Sequence, residues 1–328
     1  MRHFLLFILL FSAFGIVNAQ ELFPYAEPAS TIPKGLVGFR LTYQNYKELS
    51  TSRLKNWYGM RLMYGLTSKW TIMSTIGVSN HHFEEFPPNI LQYLFNHHLK
   101  KYKPAPYLIE GINFYSKYRF YSFDQHHKHI RLSFISEACK SFIAHDEAEP
   151  TLMTDNSGFG LGIIGTLLIN RFALSATAEY IHPFVYKQKK DGITFKSGEG
   201  KLVTLSAGYR LWPIKYSSYS NFNINIYSEF TLKQFGAAEI TKKGHVLDYK
   251  TYFLNQPYAL PISYNSLKNG SYIEGRYFIQ IISNSNNRVD IGVTMDIKNR
   301  SYNHWNPMVN IQYQAYLFNN KKGTALKK

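Results

Sequence analysis

Residues 158–183 read GFGLGIIGTLLINRFALSATAEYIHP, and two periodicities compete for the stretch. One apolar helix would have to carry Asn170 and Arg171 at its centre and Gly158, Gly160, Gly162 and Gly165 near one end. Each glycine weakens a helix by about 0.8–1 kcal/mol relative to alanine. A charge at bilayer depth costs about 2.5–3.5 kcal/mol on an insertion scale. Read with period two, Phe159, Leu161, Ile163 and Leu167 share a face, and past Asn170-Arg171 so do Phe172, Leu174, Ala176, Ala178 and Tyr180. Ser175, Thr177 and Glu179 take the other face. The pattern predicts a hairpin with a very short turn, each arm long enough for a tilted membrane strand.

The same alternation recurs along the chain. It predicts strands over 35–44, 56–65, 70–78, 109–120, 129–140, the two arms of 158–183, 201–212, 221–233, 272–282, 288–297 and 308–318. That makes twelve, an even number as single-chain bacterial outer-membrane barrels have. The connections alternate as well, short ones after every second strand and mostly longer ones between, the longest being 79–108 and 234–271. Such barrels have short periplasmic turns and long extracellular loops. A soluble sandwich has no reason to sort its loops in this way, and its strands are usually half as long. The predicted fold is therefore all-β, a transmembrane antiparallel β-barrel of about 12 strands. Lipid offers no partner to backbone N–H and C=O groups, so a spanning sheet has to close.

The chain's start, MRHFLLFILLFSAFGIVNAQ, has a positive n-region, an apolar core and a small-residue cleavage site at Val17-Asn18-Ala19. The expected organisation is a signal peptide over 1–19, a periplasmic N-terminal segment over 20–34, the barrel over 35–318 and a basic tail over 319–328. The single cysteine, Cys139, allows no intrachain disulfide, so burial or closure has to supply stability. Aromatic residues are 16% of the chain, led by 26 Tyr and 24 Phe. Those at strand ends, such as Tyr43, Tyr58, Trp70, Trp212 and Phe318, suit the membrane interfaces. The formal net charge of +16 is spread over strands, loops and tail, and no nucleic-acid motif accompanies it. Export and this spread argue against nucleic acid and for anionic surface groups or anionic solutes.

The signal, the start ELFPYAEPASTIPKG, the YGLT at Tyr64–Thr67 within RLMYGLTSKW (61–70), and the aromatic residues Tyr316 and Phe318 near the end resemble outer-membrane barrels of Bacteroidetes-type bacteria. More loosely, the chain resembles the MetA-pathway or transporter barrel group. The resemblance implies outer-membrane passage of small molecules and supplies no catalytic residue. Ten residues follow Phe318, whereas many such barrels end on the aromatic residue itself.

The predicted inward face carries both charge signs: Arg40, Arg61, Lys117, Arg119, Arg131, Arg210 and Arg276 with Glu137, Glu179, Glu229, Glu274 and Asp290. These residues either pair across the bore as a structural network or line a conduit, where an arginine excess favours anions. His81, His82, His97 and His98 are weak metal candidates, because adjacent HH pairs rarely converge on one ion; the same holds for His126, His127 and His129 near a short turn. No cofactor is expected. An outer-rim hydrolase built from His81, His82, His145 or His182 with Ser79 or Ser157 lacks a GxSxG and any assignable nucleophile–base pair. The leading expectation is a porin-like outer-membrane channel or transporter passing small polar solutes, with a modest preference for anionic ones. Its surroundings would be outer-membrane lipids, lipopolysaccharide and the barrel-assembly machinery. The alternative is a non-conducting structural, adhesion or secretion-accessory barrel, and a lipid-modifying enzyme is a minor one.

Overall fold

The computed structural model describes residues 23–47, 54–80, 107–142, 156–188, 192–214, 222–246, 270–283, 287–298 and 307–317. In chain order the strands are β1 (Val37–Lys47), β2 (Leu54–Gly65), β3 (Trp70–Ser79), β4 (Leu108–Gln125), β5 (Lys128–Ser141), β6 (Gly158–Ile169), β7 (Phe172–Pro183), β8 (Tyr186–Gln188) and β9 (Ile193–Lys196). They continue as β10 (Gly200–Trp212), β11 (Asn223–Phe235), β12 (Glu239–Lys242), β13 (His245–Val246), β14 (Gly270–Ser283), β15 (Asn287–Lys298) and β16 (Met308–Leu317). Twelve of them form one closed antiparallel barrel in the order β1-β16-β15-β14-β11-β10-β7-β6-β5-β4-β3-β2. Closure runs through β1 and β16, from Val37↔Leu317 to Asn45↔Val309. The four short strands β8, β9, β12 and β13 make a separate sheet from the loops after β7 and β11. The signal segment, the basic tail and His81, His82, His97, His98 and His145 lie outside the described residues.

The period-two residues face as their chemistry requires. Leu205, Ile163, Ile279 and Ile291 are about half exposed on the outer surface, the position of lipid. Their polar neighbours along the strand, such as Ser206, Gln280 and Asp290, are buried inside. The molecule is an outer-membrane β-barrel in its wall chemistry: apolar outside, polar inside, with no free edge. The 158–183 stretch folds as β6 and β7 around Asn170-Arg171, with Asn170 in the left-handed region at φ 52°. The hairpin of β4 and β5 turns on His126-His127, with His127 at φ 60°. The ends of β2, β4, β6, β10 and β14 share one end of the barrel with the start of β1 and the end of β16. This is the periplasmic end, because the shorter connections in the sequence follow these strands, and the opposite end is the extracellular one.

Glycines let large rings lie against the inner wall. Gly208 pairs with Tyr227, and a Cβ on it would come within 2.1 Å of that ring. Gly292 pairs with Phe278, and its Cβ would come within 2.3 Å of that ring. Each aromatic side chain therefore folds down over a neighbouring strand instead of standing into the bore.

Candidate functional site

The interior is occupied by the chain's own N-terminal segment. Residues 23–36 cross the periplasmic half of the bore before the chain enters β1. Among the described residues they meet at least ten of the twelve barrel strands, so the crossing is complete. Phe23 packs with Ala173 of β7, Tyr227 of β11 and Phe278 of β14, and its ring meets Tyr227 edge-on at 5.5 Å. The Phe23 carbonyl accepts from Arg288 of β15 at 2.9 Å. Glu27 reaches β1, β2 and β4 through Arg40, Arg61 and Lys117. The Ala29 carbonyl accepts from Ser133 of β5 at 2.6 Å, and its N–H donates to Thr166 of β6 at 2.8 Å. The Ile32 N–H donates to Thr71 of β3 at 2.9 Å.

The sequence of the segment suits this passage. Pro24, Pro28 and Pro33 bring no backbone N–H that would need a partner. Ala26 and Ala29 are small where the wall is close, and both are buried. The Tyr25 and Ala26 N–H groups donate to the two carboxylate oxygens of Glu229 at 3.2 and 2.9 Å. Lys117, fully buried, donates to the Pro28 carbonyl at 2.8 Å, and Arg131 donates to Ser30 at 2.9 Å. The Arg276 guanidinium lies 3.8 Å over the Tyr25 ring, a cation–π contact. Buried backbone groups without partners are costly, and these wall side chains provide the partners.

The charged residues singled out from the sequence fall into separate groups. Arg40, Arg61 and Lys117 converge on Glu27 at 3.2, 2.7 and 3.3 Å. Glu229, fully buried, receives the two segment amides. Glu274 bonds Arg276 and Lys233, both at 2.5 Å. Asp290 bonds Arg288 at 2.7 Å. Glu137 accepts from Asn113 at 3.3 Å, and Glu137 and Glu179 approach each other over Gly160, where a Cβ would meet both. Arg131 bonds Asp124 at 3.0 Å near the β4–β5 turn, where His129 also meets Asp124 at 2.7 Å. Arg119 donates to the Ser68 carbonyl at 2.9 Å, at the periplasmic rim and away from the Glu27 group. Arg210 stands at the same rim, its carbonyl held by Arg171 at 2.9 and 2.7 Å.

Several members of the site were not singled out from the sequence. Lys233 and Arg288 have the inward parity of Glu229 and Asp290, so the alternation held their signal. Glu110 takes the Trp57 indole N–H at 2.7 Å and the Ser79 hydroxyl near the extracellular end. It follows one residue after Ile109 at a strand start, where a bulge shifts the register. Glu27 had no periodic context to mark it. At the extracellular end, a concavity of about 910 Å³ lies where β7, β10, β11 and β14 meet the loop sheet. It is lined by His182, Lys196, Glu199, Lys201 and Gln234 among others, with charges of both signs.

Comparison with known proteins adds the fold. No protein-family model matches the sequence, and no curated protein matches it. Among solved structures, an outer-membrane channel from Pseudomonas putida F1 aligns with a TM-score of 0.54 at 10% identity, over 90% of this chain and 100% of that one. The β-domain of the Bordetella autotransporter Brka aligns at 10% identity over 87% and 100% of the two chains, with a TM-score of 0.40. Pseudomonas aeruginosa OprD aligns at 8% identity over 92% and 98%, with a TM-score of 0.35. The last two are too distant to add weight. The first supports the 12-stranded outer-membrane barrel fold, and nothing in the comparisons ties the chain to the Bacteroidetes-type or MetA-pathway groups.

Proposed function

We propose that this barrel is an outer-membrane channel for small polar solutes, held closed at its periplasmic half by residues 23–36. One observation carries the reading: the bore is crossed by a tethered segment, whereas the wall beneath it is charged and polar. A barrel that never opened could fill itself with apolar side chains, which is the cheaper solution for a dry interior. Here the inner wall keeps Arg40, Arg61, Lys117, Glu229, Arg276 and Asp290, and the segment satisfies part of their needs. Twelve strands enclose a bore wide enough for a solute only where side chains and segment leave room. Moving the segment is the change that would supply that room. The accessory-barrel alternative draws on the extracellular loop sheet, which offers a surface to a partner.

Proteoliposome swelling separates the two. Purified wild-type protein and a variant lacking residues 23–33 are reconstituted and exposed to sugars and small carboxylates of graded size. The deletion keeps Lys34, Gly35 and the Gly35 N–H bond to Gly65, so β1 retains its anchor. The expected result is faster swelling for the deletion than for wild type, with a size limit. A folded deletion variant that admits no solute would overturn the channel reading.

A further inference from the structure

Arg40 of β1 and Arg61 of β2 are register partners, directly opposite each other on the inner face. Like charges in that position repel. Lys117 of β4 joins them through the shared contact with Glu27. The other buried cations of the bore answer to acids carried by the wall itself: Lys233 and Arg276 to Glu274, Arg288 to Asp290. The Arg40–Arg61–Lys117 group differs, because the carboxylate that all three reach is carried by the N-terminal segment and not by the wall. Glu137 of β5 also stands within electrostatic reach of Arg61, but the Glu27 carboxylate is the one that Arg40, Arg61 and Lys117 all contact. The wall also orients them: Gln314 accepts from the Arg40 Nε at 2.8 Å and Thr75 from the Arg61 Nε at 2.8 Å. These bonds turn an Nη of each guanidinium towards the same oxygen, Oε1 of Glu27. Lys117 takes Oε2.

The geometry points to a binding site for a small oxyanion, a carboxylate or a phosphate, formed by Arg40, Arg61 and Lys117 and occupied in the closed state by the Glu27 carboxylate. An incoming anion competes with Glu27 for the same three donors. Two oriented guanidinium groups and one ammonium suit an oxyanion better than a neutral solute. Displacing Glu27 would also leave its carboxylate without its cations in a low-dielectric bore, so anion entry and release of the segment are coupled. This inference rests on the channel reading for its purpose and on the three-cation geometry for its chemistry.

The test uses full-length mature protein, folded in detergent, and titration calorimetry at low ionic strength with acetate, inorganic phosphate and glucose. Glu27→Ala removes the internal occupant, and Glu27→Gln does so with its shape retained should the alanine variant fail to fold. The expected result is binding of acetate or phosphate at least about tenfold tighter to the variant than to wild type, no binding of glucose, and loss of binding when Arg61→Gln is added; tenfold is about 1.4 kcal/mol. The acetate and phosphate arms distinguish the two oxyanions. A folded Glu27 variant that binds neither, or that binds equally well with Arg61→Gln, overturns the inference whatever the barrel conducts. Anion binding to the variant with no solute passage through the 23–33 deletion leaves the anion site standing and removes the channel reading.

Discussion

Glu229 shows how single side chains hold the segment. Its two oxygens take the N–H groups of Tyr25 and Ala26, and it is fully buried. Replacing it with alanine removes the acceptor of the buried Ala26 N–H, at about 1–3 kcal/mol, and that of the half-buried Tyr25 N–H as well. The Glu229→Ala barrel is expected to stay folded, because the ladders to β10 and β14 are backbone bonds. Amide hydrogen exchange across residues 23–33 should then rise about tenfold or more, which mass spectrometry would read. Unchanged exchange would mean that the segment is held elsewhere. The sequence disclosed Glu229, as it did Arg40, Arg61, Lys117 and Arg276, because inward parity on a strand marks them. What it did not disclose is which charges meet. Glu27 joins Lys117 across 90 residues of sequence, and no local pattern encodes such a contact.

At the scale of the element, the barrel strands were legible because lipid outside and a polar bore inside impose strict alternation. Their ends were less so. β4 runs to Gln125 where the alternation stopped at residue 120, since a register shift between Arg119 and Tyr121 breaks the parity. The short strands of the loop sheet lack a membrane face and so lack the signal. The sequence sets residues 20–34 apart as a periplasmic segment preceding the barrel, in keeping with the short pre-barrel segment of the barrels that the chain resembles. The described part, from Phe23 on, lies in the bore, where prolines and small residues do what alternation does in a strand. Two predictions belong here. Leu205→Arg or Ile291→Arg puts a charge against hydrocarbon and should destabilise the folded, heat-modifiable barrel by about 2–4 kcal/mol near mid-membrane. An unchanged folded gel band after equal denaturant exposure would contradict the assigned face. Gly208→Val drives a side chain into the Tyr227 ring, which forms part of the seat of Phe23. Overpacking of this kind costs about 1–3 kcal/mol. The variant should loosen the segment, seen as faster proteolysis within 23–33, and Gly208→Val with normal protection would show that the seat is not needed.

At the scale of the whole molecule, a closed barrel and an internal segment divide the work. The wall supplies stability without disulfides: twelve strands, no edge, and an apolar exterior for lipid. Cell fractionation should recover the mature chain in the outer membrane, soluble only with detergent, and recovery as a soluble periplasmic protein would contradict the exterior described here. In this account the segment supplies closure, because at least ten strands meet it across the bore. The central claim, that residues 23–36 close an otherwise conducting barrel, is tested most directly by single-channel recording in planar bilayers of the wild-type protein beside the variant lacking 23–33. The account predicts rare or small openings for wild type and a steady, larger conductance for the deletion, with a reversal potential in a KCl gradient on the anion side. A folded deletion variant as silent as wild type, or a wild type that conducts steadily at the same level, would contradict it.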